Sequence, residues 1–242
     1  MAVFILIHGT SHGGWCWERV APLLEAKGHV ARVPDLPGMG ADSIPFDTLT
    51  PAQWDQFVID LVNQESEPVV LVGHSRGGMQ ISSAAEAIPD RILRLVYLTA
   101  FVPKDGQSNL DLVKQFCDPG LLSAPRMEMA RNETGFAPEV ARAWFYNETP
   151  GEWADRAVAR LQVEPKAMIF APVHLTADRF GTVSKVYIEC EQDMVIPVEN
   201  QREMQIHAAF DAVLRLAADH SPFYSAPEQL VDALIRAAEL KD

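Results

Sequence analysis

The 242-residue sequence is short of cysteine, of basic residues and of long apolar runs, and each shortage narrows what the chain can do. Its three cysteines, Cys16, Cys117 and Cys190, are odd in number and widely scattered, with no CxxC spacing. That pattern suggests neither a disulfide framework nor a zinc site, and reduced thiols are expected. Lys and Arg number 20 against 33 Asp and Glu, for a formal net charge of −13. A surface of that sign repels phosphate backbones and anionic bilayers, so neither nucleic acid nor a membrane is expected as a partner. The apolar run in MAVFILIHG is too short to span a bilayer and lacks the basic flank and small-residue cleavage site of a signal peptide. The expectation is a soluble cytoplasmic protein. HExxH is absent, and His8 and His12, four apart, fall on a strand end and a loop rather than one helical face, which reads as loop-ordering hydrogen bonding. Residues 73 to 78 read G-H-S-R-G-G with no Walker lysine after them, which gives nucleotide binding little support. No cofactor and no metal is expected, and there is no internal repeat or low-complexity tract.

What the chain does have is hydrophobic content, 48% of residues, enough for one sizeable core with no linker dividing it. Short apolar runs alternate with stretches of helical spacing, the mark of crossover units on a parallel sheet. Strands are predicted at 3–8, 29–35, 67–73, 92–100, 182–190 and 212–218. Helices are predicted at 14–28, 50–64 (Thr50 as cap, Pro51 in first place), 75–88, 197–210 and 227–240. The clean alternation stops after residue 102. Residues 103–182 are irregular and carry Met127, Met129, Phe136, Trp144, Phe145, Tyr146, Trp153 and Met168. The class is α/β: a core of residues 1–102 and 183–242, with 103–182 inserted over the sheet as a cap.

One stretch carries chemistry. Gly73, Ser75 and Gly77 match G-x-S-x-G between a predicted strand and a predicted helix. A turn that sharp forces its middle residue into unfavourable backbone angles, tolerated only where the neighbours have almost no side chain. A serine hydroxyl needs a base within reach and an acid to hold that base in the right tautomer, in the chain order serine, acid, histidine. His220 is the one histidine that follows a late strand, since His207 falls in a predicted helix and His174 in the insertion. For the acid, Asp193 sits in a loop after a strand end. Glu191 is its nearest competitor, Glu189 still belongs to the strand, and Asp219 adjoins His220 and points elsewhere. Two backbone donors are needed for an oxyanion. The expected pair is the N–H of Arg76, at the start of a helix, and the N–H of Thr10, after the first strand.

The stretches HGTSHGGWCWERVAPLLEAKGH, DLPGMGAD, LVGHSRGGM, LVYLTAFVP, ECEQDMVIP and DHSPFYSAPEQL resemble the α/β-hydrolase superfamily. The resemblance is narrower to the group of plant methylesterases, hydroxynitrile lyases and bacterial pyrethroid-hydrolase-like esterases, and it covers nearly the whole chain, weakly through the cap. It implies the α/β-hydrolase fold, a mostly parallel sheet flanked by helices with an inserted helical cap. It also implies Ser75, Asp193 and His220 as nucleophile, acid and base, with Thr10 and Arg76 as oxyanion donors. Lyases of the group typically carry threonine after the first-strand histidine and lysine after the catalytic histidine, where this chain has Gly9 and Ser221. Without that lysine no charge stabilises a leaving cyanide, so hydrolysis is expected over cyanohydrin cleavage. Arg76 stands where relatives often carry leucine. The expected function is a serine carboxylesterase acting on small to medium apolar esters. A lactonase, a hydroxynitrile lyase or a non-catalytic small-molecule receptor on the same scaffold are the alternatives. Trp15, Phe101, Trp144, Phe145 and Phe223 are the expected pocket wall, the partner is a small-molecule ester, and a homodimer is left open.

Overall fold

A computed structural model describes residues 1–124 and 133–240; Met127 and Met129 lie outside the described residues. Six strands form one parallel sheet: β1 (Val3–Ile7), β2 (Val30–Arg32), β3 (Val69–His74), β4 (Ile92–Leu98), β7 (Lys185–Cys190) and β8 (Ala212–Leu216). Their order is β2-β1-β3-β4-β7-β8. Two short strands, β5 (Glu133–Thr134) and β6 (Glu164–Pro165), pair antiparallel to each other away from that sheet. All six residues of β3 are buried, as a central strand covered on both faces requires. β8 alternates in exposure, because it is an edge.

Helices pack on the two faces: α1 (Val20–Ala26), α2 (Pro51–Asn63), α3 (Gly77–Ala87), α8 (Val198–Gln205), the short α9 (Pro222–Ser225) and α10 (Pro227–Glu239). Between β4 and β7 lie α4 (Asn109–Phe116), α5 (Pro119–Ser123), α6 (Pro138–Phe145) and α7 (Gly151–Val158). α2 begins as its sequence predicts: Gln53 Oε1 accepts from Thr50 N at 2.7 Å, and Pro51 opens the first turn.

Three elements differ from the sequence expectation, each for a local reason. The helix predicted over 14–28 is a tight turn at Gly14–Trp17 followed by α1, because Pro22 has no N–H for a helix running through it and instead occupies the first turn. The strand predicted over 29–35 shrinks to three residues, since Pro34 ends the ladder and the Asp35 side chain turns to accept from Gly14 N and Ala41 N. The helix predicted to Phe210 stops at Gln205, and Phe210 then lies edge-on against Tyr97 and Tyr187.

The strand order reverses direction between β1 and β3: the chain steps outward to β2, then crosses back to the far side of β1. The loops after β1 and β3 therefore diverge at their carboxyl ends and leave a crevice, where open α/β sheets place ligands. Registers align the ends: Ile7 faces Gly73, His74 faces Leu98, Leu98 faces Ile188 and Cys190 faces Leu216. Residues just past each strand thus gather at one rim.

Candidate active site

Ser75 leaves β3 with φ of +52°, a left-handed conformation that a serine rarely adopts. The surroundings enforce it. Ser75 N donates to Leu98 O, and Ser75 O accepts from Gly78 N and Phe101 N, so the turn is fastened to the end of β4. A Cβ on Gly73 would lie 2.7 Å from the Gly77 backbone, and one on Gly78 would lie 2.0 Å from Phe101 O. Neither position admits a side chain.

His220 Nε2 lies 3.0 Å from Ser75 Oγ, and His220 Nδ1 lies 2.7 Å from Asp193 Oδ2. All three side chains are buried. The Asp193 carboxylate is held on every side: Oδ1 accepts from Val195 N at 2.7 Å and Ile196 N at 3.0 Å, and Oδ2 also accepts from Thr99 Oγ1. Thr99, with φ of +37°, is a member of this network that the sequence does not single out. So is His74, whose Nε2 donates to His220 O at 2.7 Å and fixes the loop that carries His220. The structure brings together Ser75, His220 and Asp193. Glu189 points away to Arg202, Gln205 and Arg215, and Asp219 is engaged elsewhere, accepting from Glu148 N, Thr149 Oγ1, Ser221 N and Ser225 Oγ.

Three more buried imidazoles surround this relay. Burial, reinforced by the nearby Arg76 charge, pushes His8 down to about 3; burial pushes His12 down to about 4 and His74 well below the usual range. All three are neutral at pH 7, and their hydrogen bonds are structural. His8 Nε2 accepts from Leu36 N while Nδ1 donates to Gly9 O; His12 Nδ1 donates to Thr10 O while Nε2 accepts from Tyr146 Oη.

Thr10 borders the same cavity as Ser75 and His220. Neither the Thr10 nor the Arg76 backbone N–H has an acceptor among the described residues. The Arg76 side chain is wholly buried. Its Nη2 donates to Gly9 O at 3.2 Å, Nη1 to Gln80 Oε1 at 3.1 Å, Nε sits 3.4 Å from Glu164 Oε2, and the guanidinium lies 4.4 Å over the Trp54 ring. Glu164 Oε2 also accepts from Ser11 N at 3.2 Å.

The cavity above Ser75 measures about 130 Å³ and is predominantly apolar, with Phe101, Phe136, Phe145, Leu121, Val113 and Ile169 in its wall. Phe101 and Phe145 are where the sequence reading put them. Trp15, Trp144 and Phe223 are corrected: none borders the cavity. Trp15 stacks on the outer side of His12 and under Arg160. Trp144 turns onto Gly120, and Phe223 packs edge-on to His74 and Trp17 behind the relay. Among the described residues no cluster of His, Cys, Asp and Glu could hold a metal ion. Nor is any helix among them long and apolar enough to cross a membrane.

A six-stranded parallel sheet with this turn at its switch point is the fold of the α/β hydrolases, and the chain belongs to that family, whose alpha/beta hydrolase model matches residues 4–233. Within it, the chain is 30% identical to methylesterase 1 of Arabidopsis thaliana, over 98% of this chain and 95% of that one. It is 31% identical to salicylic acid-binding protein 2 of Nicotiana tabacum, over 97% and 96%. Among solved structures, a pyrethroid hydrolase from Sphingobium faniae JZ-2 superposes with a TM-score of 0.85 at 29% identity, covering 98% of this chain and 97% of that one.

Proposed function

We propose that this chain is a serine carboxylesterase that cleaves small to medium apolar esters through an acyl-enzyme. The observation that carries the reading is the hydrogen-bonded run Ser75 Oγ–His220–Asp193, with spans of 3.0 Å and 2.7 Å, opening on an apolar cavity. Ser75 Oγ attacks the ester carbonyl carbon while its proton passes to His220 Nε2, and the carbonyl π pair moves onto oxygen. Asp193 accepts from Nδ1–H, holds the ring in this tautomer and stabilises the imidazolium. The Thr10 and Arg76 amides donate to the oxyanion. Collapse expels the alkoxide, which takes the proton from Nε2. Water, deprotonated by the same nitrogen, then attacks the acyl carbon, and the acid leaves as Ser75 regains its proton.

The substrate class follows from the cavity and from relatives named methylesterase and pyrethroid hydrolase. A volume of about 130 Å³ is near that of an apolar cavity, about 150 Å³, that takes up benzene, so one ring-sized apolar group fits beside the scissile bond. Segment 103–182 acts as the cap over this group. Ser221 and Gly9, where lyases of the group differ, favour hydrolysis over cyanohydrin cleavage.

The test is a pre-steady-state burst with short and medium p-nitrophenyl esters, comparing wild type with Ser75→Ala and His220→Ala. The expected result is release of about one equivalent of p-nitrophenolate per chain before the steady state, lost in both variants. Turnover undiminished in Ser75→Ala would sink the reading. Absence of any turnover, with ligands raising the melting temperature equally in wild type and Ser75→Ala, would put a binding role in its place.

A further inference from the structure

The reaction above leaves the Arg76 guanidinium without a task, although it is fully buried. Neutralising Glu164 does not account for it, because a buried ion pair is commonly no more stabilising than apolar side chains of the same volume. The contact with Gly9 O is more informative. That oxygen belongs to the Gly9–Thr10 peptide, the group whose N–H is one of the two oxyanion donors. Three donors converge on it: His8 Nδ1 at 2.9 Å, Arg76 Nη2 at 3.2 Å and His12 N at 3.4 Å. In a planar trans peptide the C=O and N–H point opposite ways, and resonance couples them. Donors that hold and polarise the oxygen therefore aim the N–H away from themselves and make it a stronger donor. The peptide is also in the right place. A Cβ on Gly9 would lie 2.8 Å from Ser75 Cβ, and Thr10 borders the cavity beside Ser75.

We propose that the Arg76 side chain is a positioning residue for the oxyanion hole, fixing and polarising the Gly9–Thr10 peptide through its carbonyl. The inference rests on the hydrolase reading. Arg76 then serves the oxyanion from both ends: its own N–H is one donor, and its guanidinium strengthens the other. Glu164 completes the arrangement from the segment between β4 and β7. Its Oε2 pairs with the guanidinium 3.4 Å from Nε and accepts from Ser11 N, the next amide along, where Ser11 takes a left-handed φ of +63°. Charge on the substrate oxygen is largest in the transition state, so the effect falls on kcat and spares KM.

The experiment compares wild type, Arg76→Leu, Arg76→Leu/Glu164→Leu and Arg76→Lys on p-nitrophenyl butyrate. Inhibition is measured with butylboronic acid, which forms a tetrahedral anion on Ser75 Oγ, and with butyrate, which does not. Arg76→Leu alone strands a buried carboxylate and lowers the melting temperature; the double variant removes that charge and recovers the loss except for the part owed to Ser11 N, which loses its acceptor. Removing an oxyanion donor outright lowers kcat by about 10²–10³-fold, so weakening one lowers it roughly ten- to a hundredfold. That loss is expected in the double variant with KM within about twofold, and boronate affinity falls in step while butyrate affinity holds. Arg76→Lys keeps a cation beside Glu164 but lacks the fork that also reaches Gly9, and it shows the same kcat and boronate losses even if the double variant fails to fold. Wild-type kcat in the double variant or in Arg76→Lys would overturn the inference, as would boronate and butyrate affinities falling together. No turnover by the wild type would sink the hydrolase reading and this inference with it.

Discussion

Every residue of β3 is buried and the strand is hydrogen-bonded on both sides, whereas the segment between β4 and β7 adds to its apolar packing a set of single polar contacts with the rim. Tyr146 reaches His12, Asn147 reaches Gln192 O, Gln162 bonds Gly40 twice, and Arg156 and Arg160 clamp Glu18. Apolar burial spreads stability over many contacts. A polar attachment concentrates it in a few groups, and where the partner is buried, as His12 is, its loss leaves that partner unsatisfied. The sheet therefore fixes Ser75, and a small number of polar groups tie the segment between β4 and β7 to the rim.

Asp193 and Asp219 put that contrast in two residues next to His220, one hydrogen-bonded to its ring and the other its neighbour in the chain. In the proposed mechanism Asp193 serves chemistry: Asp193→Asn reverses the tautomer logic at Nδ1 and should lower kcat by about 10³–10⁴-fold, with little change in melting temperature. Asp219 serves attachment, since two of its four donors, Glu148 N and Thr149 Oγ1, come from the segment between β4 and β7. Asp219→Ala strands them and should lower stability by about 2–4 kcal/mol in urea titration, with a kcat loss far below that of Asp193→Asn. Equal kcat losses in the two variants would break the comparison.

The sheet and the relay were legible because each rests on short-range pattern. Apolar runs closed by turn residues mark strand ends, and Ser75, Asp193 and His220 each stand just beyond one. Thr99, His74 and Glu164 were not legible as partners. Their contacts to Asp193, His220 and Arg76 span 94, 146 and 88 positions, and a single polar residue carries no period. Arg76 shows the limit most sharply: its backbone role follows from its place after the serine, but its side chain has meaning only once Gly9, Gln80 and Glu164 surround it. The pocket wall failed for a different reason. Hydropathy says that Trp15, Trp144 and Phe223 are covered, and not by what.

The rim also sets a response to acid. His8 and His12, with folded values of about 3 and 4, and His74, also held well down by burial, bind protons in the unfolded chain from about pH 6.5 downward, before they do in the folded one. A depressed folded pKa means stability present above the unfolded value and lost as pH falls. Each group removes about 1.4 kcal/mol per pH unit while the two states differ by a full proton. Two buried carboxyls oppose them, because Asp55, pushed up to about 6 by burial, and Asp219, raised by burial, take up protons earlier in the folded state. The expected balance is a loss of about 1.4–3 kcal/mol per unit between pH 6 and 5, read from urea midpoints. A midpoint that stays flat over that interval would mean that the imidazoles are not held neutral.

The smallest expected effect tests the corrected wall. Phe145 borders the cavity and its ring lies 5.6 Å from that of His220, with Phe136 edge-on behind it at 5.0 Å. Phe145→Ala removes contact with the apolar part of the substrate, and burial of such a ring is worth about 1.5–3 kcal/mol, so KM for p-nitrophenyl butyrate should rise on the order of tenfold. Trp144, one position earlier on α6, points across the helix to Gly120. Trp144→Leu should leave both KM and the preference among acyl chain lengths within about twofold, because successive residues on a helix do not share a face. A changed chain-length profile in Trp144→Leu would mean that α6 turns during turnover and that both aromatic rings reach the substrate.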